Sequence, residues 1–392
     1  MFKKGKVFCA LAALITAISV ILPGAFTLRA GAVSAGDIQA LTDETIQSEI
    51  SLAGAESLQA LIDGKYAAGA GAVSDWFVFS LIQYKGNGLD YSRYAQKLRE
   101  YCGEKNSHDT PVTKERLAMM FILLNTDDSY ARNVADTCVG SFGLMSCIYG
   151  LHLSANGFPS AKMTDSGIIG EILSSQLDDG GWDIQQKAAD PDVTAMAVQA
   201  LAHFYSGNSK VRQAVDRALT RLSSLQLENG GYRSYGAENP ESCAQVITAL
   251  TALGINPLND GRFVKNGKSA VDAMLAYRLS SGGFCHKQGG EYNATATSQA
   301  LYSLISIYRL QKGMGSLYNL KTDIRVSSSP EKTAPSQTAG GMTGQEGRVV
   351  ISKPSTTAPS AQKTTAAPLS PDRKSTRLNS SHTDSSRMPS SA

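Results

Sequence analysis

"QLDDGGWDIQQKAADPDVTAMAVQALAHF", residues 176–204, carries a helix stop followed by a helix start. Gly180-Gly181 supplies the stop, because a helix commonly ends on a left-handed residue and glycine has no side chain to clash there. Asp190-Pro191 supplies the start. The aspartate is a capping residue, and proline at the first helical position loses only an N–H that has no intrahelical partner. Asp192 then falls in the first turn, where the helix dipole favours negative charge. Beyond it Val193, Met196, Ala197, Ala200, Leu201 and Phe204 are apolar, and so are Ala195, Val198 and Ala202 between them. A helix apolar nearly all round is enclosed by others.

The pattern recurs. "QLENGGY" (226–232) and "RLSSGGF" (278–284) follow "QLDDGGW" (176–182) at spacings of 50 and 52 residues. Each is followed by another apolar run, "NPESCAQVITALTAL" and "NATATSQALYSLISIY". The Gln is placed to bond free helix-end groups, and the aromatic to pack across to the next hairpin. Between the motifs lies a different kind of helix. In "SKVRQAVDRALTRLSSLQ" Val211, Ala214, Val215, Ala218, Leu219, Leu222 and Leu225 form one stripe, with Arg212, Asp216, Arg217 and Arg221 opposite. That spacing predicts an amphipathic helix with one wet face.

Enclosed and half-wet helices therefore alternate. Upstream, 75–84, 114–124 and 142–153 read as enclosed, and 91–102, 128–139 and 165–176 as half-wet. With 192–206, 241–253 and 294–310 this predicts six inner helices. An all-α toroid of two concentric rings, (α/α)6, accommodates them. Strand-like alternation is almost absent.

The flanks read differently. Lys3, Lys4 and Lys6 precede an apolar run from Val7 to Phe26, and small residues follow in "AGAVSA" (30–35). This is the pattern of an export leader, residues 1–35, with an uncleaved membrane anchor as the alternative. Cys9 lacks a lipoprotein context. The body, 36–325, is expected outside the cytoplasm or at the cell surface. There Cys102, Cys138, Cys147, Cys243 and Cys285 can pair, but sequence does not assign pairs, and their odd number makes a free buried thiol the expectation for at least one of them. Residues 326–373 are rich in Ser, Thr, Pro and Ala, too poor in large apolar groups to fold, and read as a linker or stalk. "KSTRLNSSHTDSSRMPSSA" (374–392) resembles a translated sequencing-adapter read and is set aside from fold reasoning; a membrane anchor, sorting signal or second domain could follow the linker in its place. The net charge of +3 over 392 residues gives no reason to expect a nucleic-acid partner.

The Gln-x-x-x-Gly-Gly-aromatic repeats with their inner helices resemble the α/α-toroid superfamily over about residues 38–312. It includes squalene-type terpenoid cyclases, protein prenyltransferase β-subunits, complement-type thioester domains and cobalamin-binding transcobalamins. Terpenoid cyclases use Asp-x-Asp-Asp at an inner-helix start, and the resemblance implies that Asp192 holds the place of the proton donor. Asp190 matches the first acid, but Val193 replaces the third. Prenyltransferases hold zinc with Asp-x-Cys and a His. Glu241 and Cys243 approximate the pair, residues 291–303 supply no His, and His286 lies in the loop before them, so no metal is expected. "YCGEKN" (101–106) lacks the Gln of a thioester sequence.

Three readings follow. The first is a surface-tethered, non-enzymatic module that binds a small molecule or a surface partner at the toroid mouth. A corrinoid is the ligand implied by the transcobalamin resemblance, and no cofactor is required. The second is a single-barrel cyclase- or prenyltransferase-like enzyme using Asp192. The third is an adhesive or structural module. Inner-helix starts would surround one mouth, which makes Asp75, Trp76, Asp192, Glu241 and Tyr292 candidates for it. Gln245 and Thr248 are polar on an otherwise apolar helix and are candidates to line the lumen. For each, a cap or a satisfied buried polar group is the competing explanation. On sequence alone Asp-Pro-Asp reads as architecture, with Asp192 the residue left to test.

Overall fold

The computed structural model describes residues 33–104 and 108–326. Residues 1–32 of the expected leader, 327–373 of the expected linker and 374–392 lie outside the described residues. The described chain is helical apart from two hairpins of two-residue strands. None of its helices is long and apolar enough to cross a membrane.

The inner helices are α3 (Ser74–Lys85), α5 (Pro111–Leu124), α7 (Gly143–Ala155), α9 (Pro191–Leu201), α11 (Pro240–Ala252) and α13 (Ala294–Gln311). Each packs on the next, and α13 packs back on α3, so the ring is closed. Outside it stand α1 (Asp37–Leu52), α4 (Ser92–Glu104), α6 (Asp128–Cys138), α8 (Asp165–Ser174), α10 (Ser209–Leu225) and α12 (Ala270–Leu275). A short helix α2 (Leu58–Leu61), continued by a π-helical turn at Ile62–Tyr66, leads from α1 to α3. This is the all-α double ring that the repeats predict. α12 has only 6 residues, and the sequence did not single out α1.

The repeat motifs explain the closure. Gly180, Gly230 and Gly282 all have positive φ, at 94°, 83° and 98°. Each also lies against the backbone of the next outer element. A β-carbon would fall 3.0 Å from the Arg217 carbonyl oxygen in α10 at Gly180 and 2.4 Å from that of Ser269, which caps α12, at Gly230. At Gly282 it would fall 3.0 Å from that of Glu44 in α1. The third motif thus treats α1 as the next outer helix, which places first and last hairpins side by side.

The glutamines follow the same rule. Gln176 Nε2 donates to Gly180 O at 2.7 Å and to Ala214 O of α10 at 2.8 Å. Gln226 donates to Gly230 O and Phe263 O, both at 2.9 Å. They bond the loop and the next outer element rather than free helix ends. Arg278 takes the place of Gln in the third motif and pairs instead with Glu44 of α1 at 2.6 Å. The aromatic also departs from expectation. Trp182 Nε1 donates to Ile172 O of α8, the preceding helix, so its polar edge stays within its own hairpin.

The segment after α13 forms a strap over the C-terminal ends of the inner helices. Gln83 of α3 donates to Leu317 O and Asn319 O. Asn156, after α7, bonds Tyr318 O and Leu320 N, and Thr322 donates to Leu123 O of α5. Tyr318 stacks on His152 with centroids 4.0 Å apart. The strap covers the α3, α5 and α7 side of this mouth. On the α7, α9 and α11 side a cavity of about 440 Å3 remains, lined by His152, Gln199, His203, Ala252, Tyr318 and Lys321 among others.

Candidate active site

The opposite mouth is formed where the inner helices begin. At α9, Asp190 Oδ1 accepts the backbone N–H groups of Asp192 and Val193, as a capping residue should. Its Oδ2 accepts the Ser234 hydroxyl at 2.6 Å. Ser234 belongs to a hairpin of β1 (Arg233–Ser234) and β2 (Ala237–Glu238). The turn is Tyr235-Gly236, both with positive φ, at 44° and 88°, as a two-residue hairpin loop requires. Tyr235 donates to Asp183 Oδ1 at 2.8 Å. The hairpin is thereby pinned at two points over the start of α9.

Asp192 lies beneath it, 1% exposed, and neither carboxyl oxygen has a hydrogen-bond partner among the described residues. Burial pushes its pKa up to about 8, with the charge of Asp190 adding to the rise and that of Glu241 adding less. The hydroxyls of Ser242 and Ser234 lie near enough to oppose part of this. Each donates elsewhere, Ser242 to Asn239 and Ser234 to Asp190. A carboxyl in these surroundings stays a neutral acid at pH 7. Glu115, the other strongly raised carboxyl, differs. Burial lifts it to about 9, but it shares a hydrogen bond with Ser146, which ties α5 to α7.

The neighbouring inner helix, α11, presents Glu241 at the same position, two residues after its Asn239 cap. Glu241 Oε1 shares a proton with His286 Nδ1 at 2.8 Å, while Oε2 is buried without a partner. Burial raises Glu241, and the histidine holds it back. Cys243 does not join this pair. It stands four residues after its cap, where α9 and α13 have Thr194 and Thr297. Those threonines hold the backbone N–H of Trp182 and of Phe284, and Cys243 holds that of Tyr232 in the same way. Among the described residues no group of three or more His, Cys, Asp or Glu is arranged to hold a metal. The described cysteines are all free, with burial raising the Cys102 and Cys243 thiols to about 12.

Below the acids the lumen is filled with polar and aromatic groups. Gln199 Nε2 donates to Gln245, whose own amide donates to Tyr302 Oη at 2.7 Å and Gln299 Oε1 at 3.2 Å. Trp76 packs on Tyr302 with centroids 5.8 Å apart and on Phe79 at 5.6 Å. The structure therefore brings Trp76, Asp192, Glu241 and Gln245 to one mouth and its lumen.

Three other candidates are engaged elsewhere. Asp75 accepts from Gly71 N and the Tyr94 hydroxyl and forms a buried ion pair with Arg116, which ties α3, α4 and α5 together. Tyr292 turns outward and donates to Glu49 of α1 at 2.7 Å. Thr248 spends its hydroxyl on Ala244 O within its own helix. Sequence reasoning missed the covering hairpin, Asp183 and Ser234, and the pairing of His286 with Glu241.

Fold and site together define a single-barrel α/α toroid with a buried neutral acid at one mouth. No family model and no curated protein matches the sequence. Among solved structures the chain is similar to the ent-copalyl diphosphate synthase from Streptomyces platensis, at 20% identity and a TM-score of 0.40. The match covers 59% of this chain and 49% of that one, so the chain spans about half the length of the synthase.

Proposed function

We propose that the protein is a single-barrel enzyme that starts its reaction by donating a proton from Asp192 to a carbon–carbon double bond of an unsaturated substrate of isoprenoid type. The observation that carries this reading is the placement of Asp192: it is buried, only the hydroxyls of Ser242 and Ser234 lie near its carboxyl, both of them engaged elsewhere, and burial pushes its pKa up to about 8. A carboxylic acid that donates to nothing in the protein has its proton free for a ligand. Asp190 cannot share the role, because its oxygens serve the helix cap and Ser234. Trp76 and Tyr302 pack on each other within the lumen, and aromatic rings beside a protonated alkene would stabilise its positive charge.

The alternative is a binding module for a small molecule, and the cavity of about 440 Å3 at the strapped mouth favours it. A corrinoid exceeds that cavity and would have to lie across the mouth. Either activity is placed outside the cytoplasm by the leader-like N-terminus, with an envelope tether expected from the linker.

Incubating the purified protein with geranylgeranyl diphosphate, squalene and a corrinoid panel separates the readings. A cyclised isomer of the substrate, a hydrocarbon from squalene or a cyclic diphosphate from geranylgeranyl diphosphate (read as its alcohol after phosphatase treatment), detected by gas chromatography and mass spectrometry and lost in Asp192→Asn, is the expected result. A corrinoid retained in native mass spectrometry with no conversion of either isoprenoid would overturn it in favour of the binding module. Neither conversion nor retention would favour an adhesive role.

A further inference from the structure

The strapped mouth is built unlike the mouth that holds Asp192. Its cavity of about 440 Å3 opens between the strap and the C-terminal ends of α7, α9 and α11. Two buried polar side chains line it, His152 at 5% exposed and Gln199 at 3%. Tyr318 stacks on the face of the His152 ring, whose nitrogens have no hydrogen-bond partner among the described residues. Gln199 spends its amide N–H groups on Gln245, while its Oε1 accepts from no described residue. Neither group is sealed in the core as the Asp192 oxygens are, so both open onto the cavity. Ala200, Ala202 and Ala252 keep the space beside them clear, and no Asp or Glu lines it. Lys321 stands exposed at the rim with His203, and it pairs with no acid among the described residues.

These groups select a ligand. Burial keeps the imidazole neutral, so it offers one N–H donor and one acceptor nitrogen. A hydroxyl set between the two side chains can accept from the imidazole and donate to Gln199 Oε1. An apolar ligand would strip water from both and leave them unpaired. The carbonyl ends of the inner helices repel an anion deep in the cavity, whereas Lys321 attracts one at the rim and repels a cation. We infer that the strapped mouth is a second site, which binds a small hydroxylated carboxylic acid with its carboxylate at Lys321 and a hydroxyl between His152 and Gln199. This second site goes beyond the reading of Asp192 and is independent of it. The strap is part of the site, because it supplies both Lys321 and the Tyr318 ring that fixes His152.

Glucuronate carries both groups on one ring and is titrated into the purified protein by calorimetry, with no isoprenoid present. Glucose, which lacks the carboxylate, and cyclohexanecarboxylate, which lacks the hydroxyls, are titrated beside it. Glucuronate is expected to bind about tenfold tighter than either. Lys321→Gln, at an exposed position of the strap, should weaken glucuronate to the level of glucose and leave glucose unchanged. His152→Phe keeps the stack on Tyr318 and should weaken glucuronate to the level of cyclohexanecarboxylate; Lys321→Gln carries the test if that variant does not fold. No binding of glucuronate, equal binding of cyclohexanecarboxylate, or glucuronate binding that survives Lys321→Gln would each overturn the second site. Any of these results leaves the Asp192 reading standing, since that reading is judged on isoprenoid conversion alone.

Discussion

Replacing Asp192 by asparagine should change the pH dependence of stability more than stability itself. The native carboxyl holds its proton up to about pH 8, whereas the ordinary value is 3.8. Between those limits the native state binds one more proton than the unfolded chain, so stability falls as pH rises. The slope is about 1.4 kcal/mol per pH unit, or about 4 kcal/mol lost by pH 7 relative to pH below 4. Asparagine carries no such slope. It does place an unpartnered amide in the same buried site, which costs about 1–3 kcal/mol at every pH. The variant should therefore be the less stable protein in acid and the more stable one at neutrality, with the curves crossing between about pH 4.5 and 6. Asp190 and Glu241 are also raised, but burial is the main cause for both. Their slopes persist in both proteins and cancel in the difference. Urea unfolding followed by circular dichroism at half-unit steps from pH 4.5 to 8 measures it. A difference between the two proteins that stays constant over this range would refute the assignment of Asp192 as a neutral acid.

His152 should act in the opposite sense. Burial depresses it to about 3, so the native imidazole stays neutral while the unfolded one protonates near 6.5. Its contribution is present above about pH 6.5 and is lost as pH falls toward 3. His152→Phe, which keeps the stack on Tyr318, should relieve about 2 kcal/mol of acid destabilisation at pH 5, read from the same titration. Gly230→Ala should cost about 2–5 kcal/mol, because the residue must adopt positive φ while its β-carbon meets the Ser269 carbonyl; thermal unfolding measures it, and a loss below 1 kcal/mol would show that the contact yields. Arg116→Met leaves Asp75 buried without its cation and should cost about 3–5 kcal/mol by urea unfolding.

The fold was legible because its signals are local. A capping residue, a proline, a Gly-Gly turn and an apolar surface each declare themselves within a few residues, and they repeat, although α8 ends at Ser174 and α10 at Leu225, so the glycines turn the chain beyond the helix ends rather than capping them. The partners of the candidate site residues are not local. Nothing near Asp75 announces Arg116, which lies 41 residues on, and nothing near Glu241 announces His286, 45 residues on. Tyr292 precedes the Asn293 cap and read as a mouth residue. It lies in an extended stretch bridged to Cys285, which turns its ring toward α1. The hairpin over Asp192 was missed because its strands have two residues each, too short for alternation to show. The other hairpin did leave a readable mark, Asn266-Gly267 with both residues at positive φ.

The same local grammar accounts for Asp190 and fails for Asp192, and that failure is the strongest reason to look for chemistry. An acid placed in a first turn to answer the helix dipole should be ionised and bonded to the N–H groups it faces. Asp190 meets the bonding requirement, through Asp192 N and Val193 N. Asp192 meets neither, since burial outweighs the dipole and leaves it neutral without a partner. The ring does not need a carboxylate there. At the corresponding position α13 has Thr295 and α5 has Val112, and both helices are capped by a side chain, Asn293 and Thr110. At α11 the acid Glu241 is kept, but with one oxygen hydrogen-bonded to His286. Among the described inner-helix starts only α9 keeps a carboxyl that is buried, covered with a pinned hairpin and faced by no donor but two hydroxyls engaged elsewhere. Thr295 and Val112 serve that position in α13 and α5, so the role we propose for the α9 carboxyl is to give a proton.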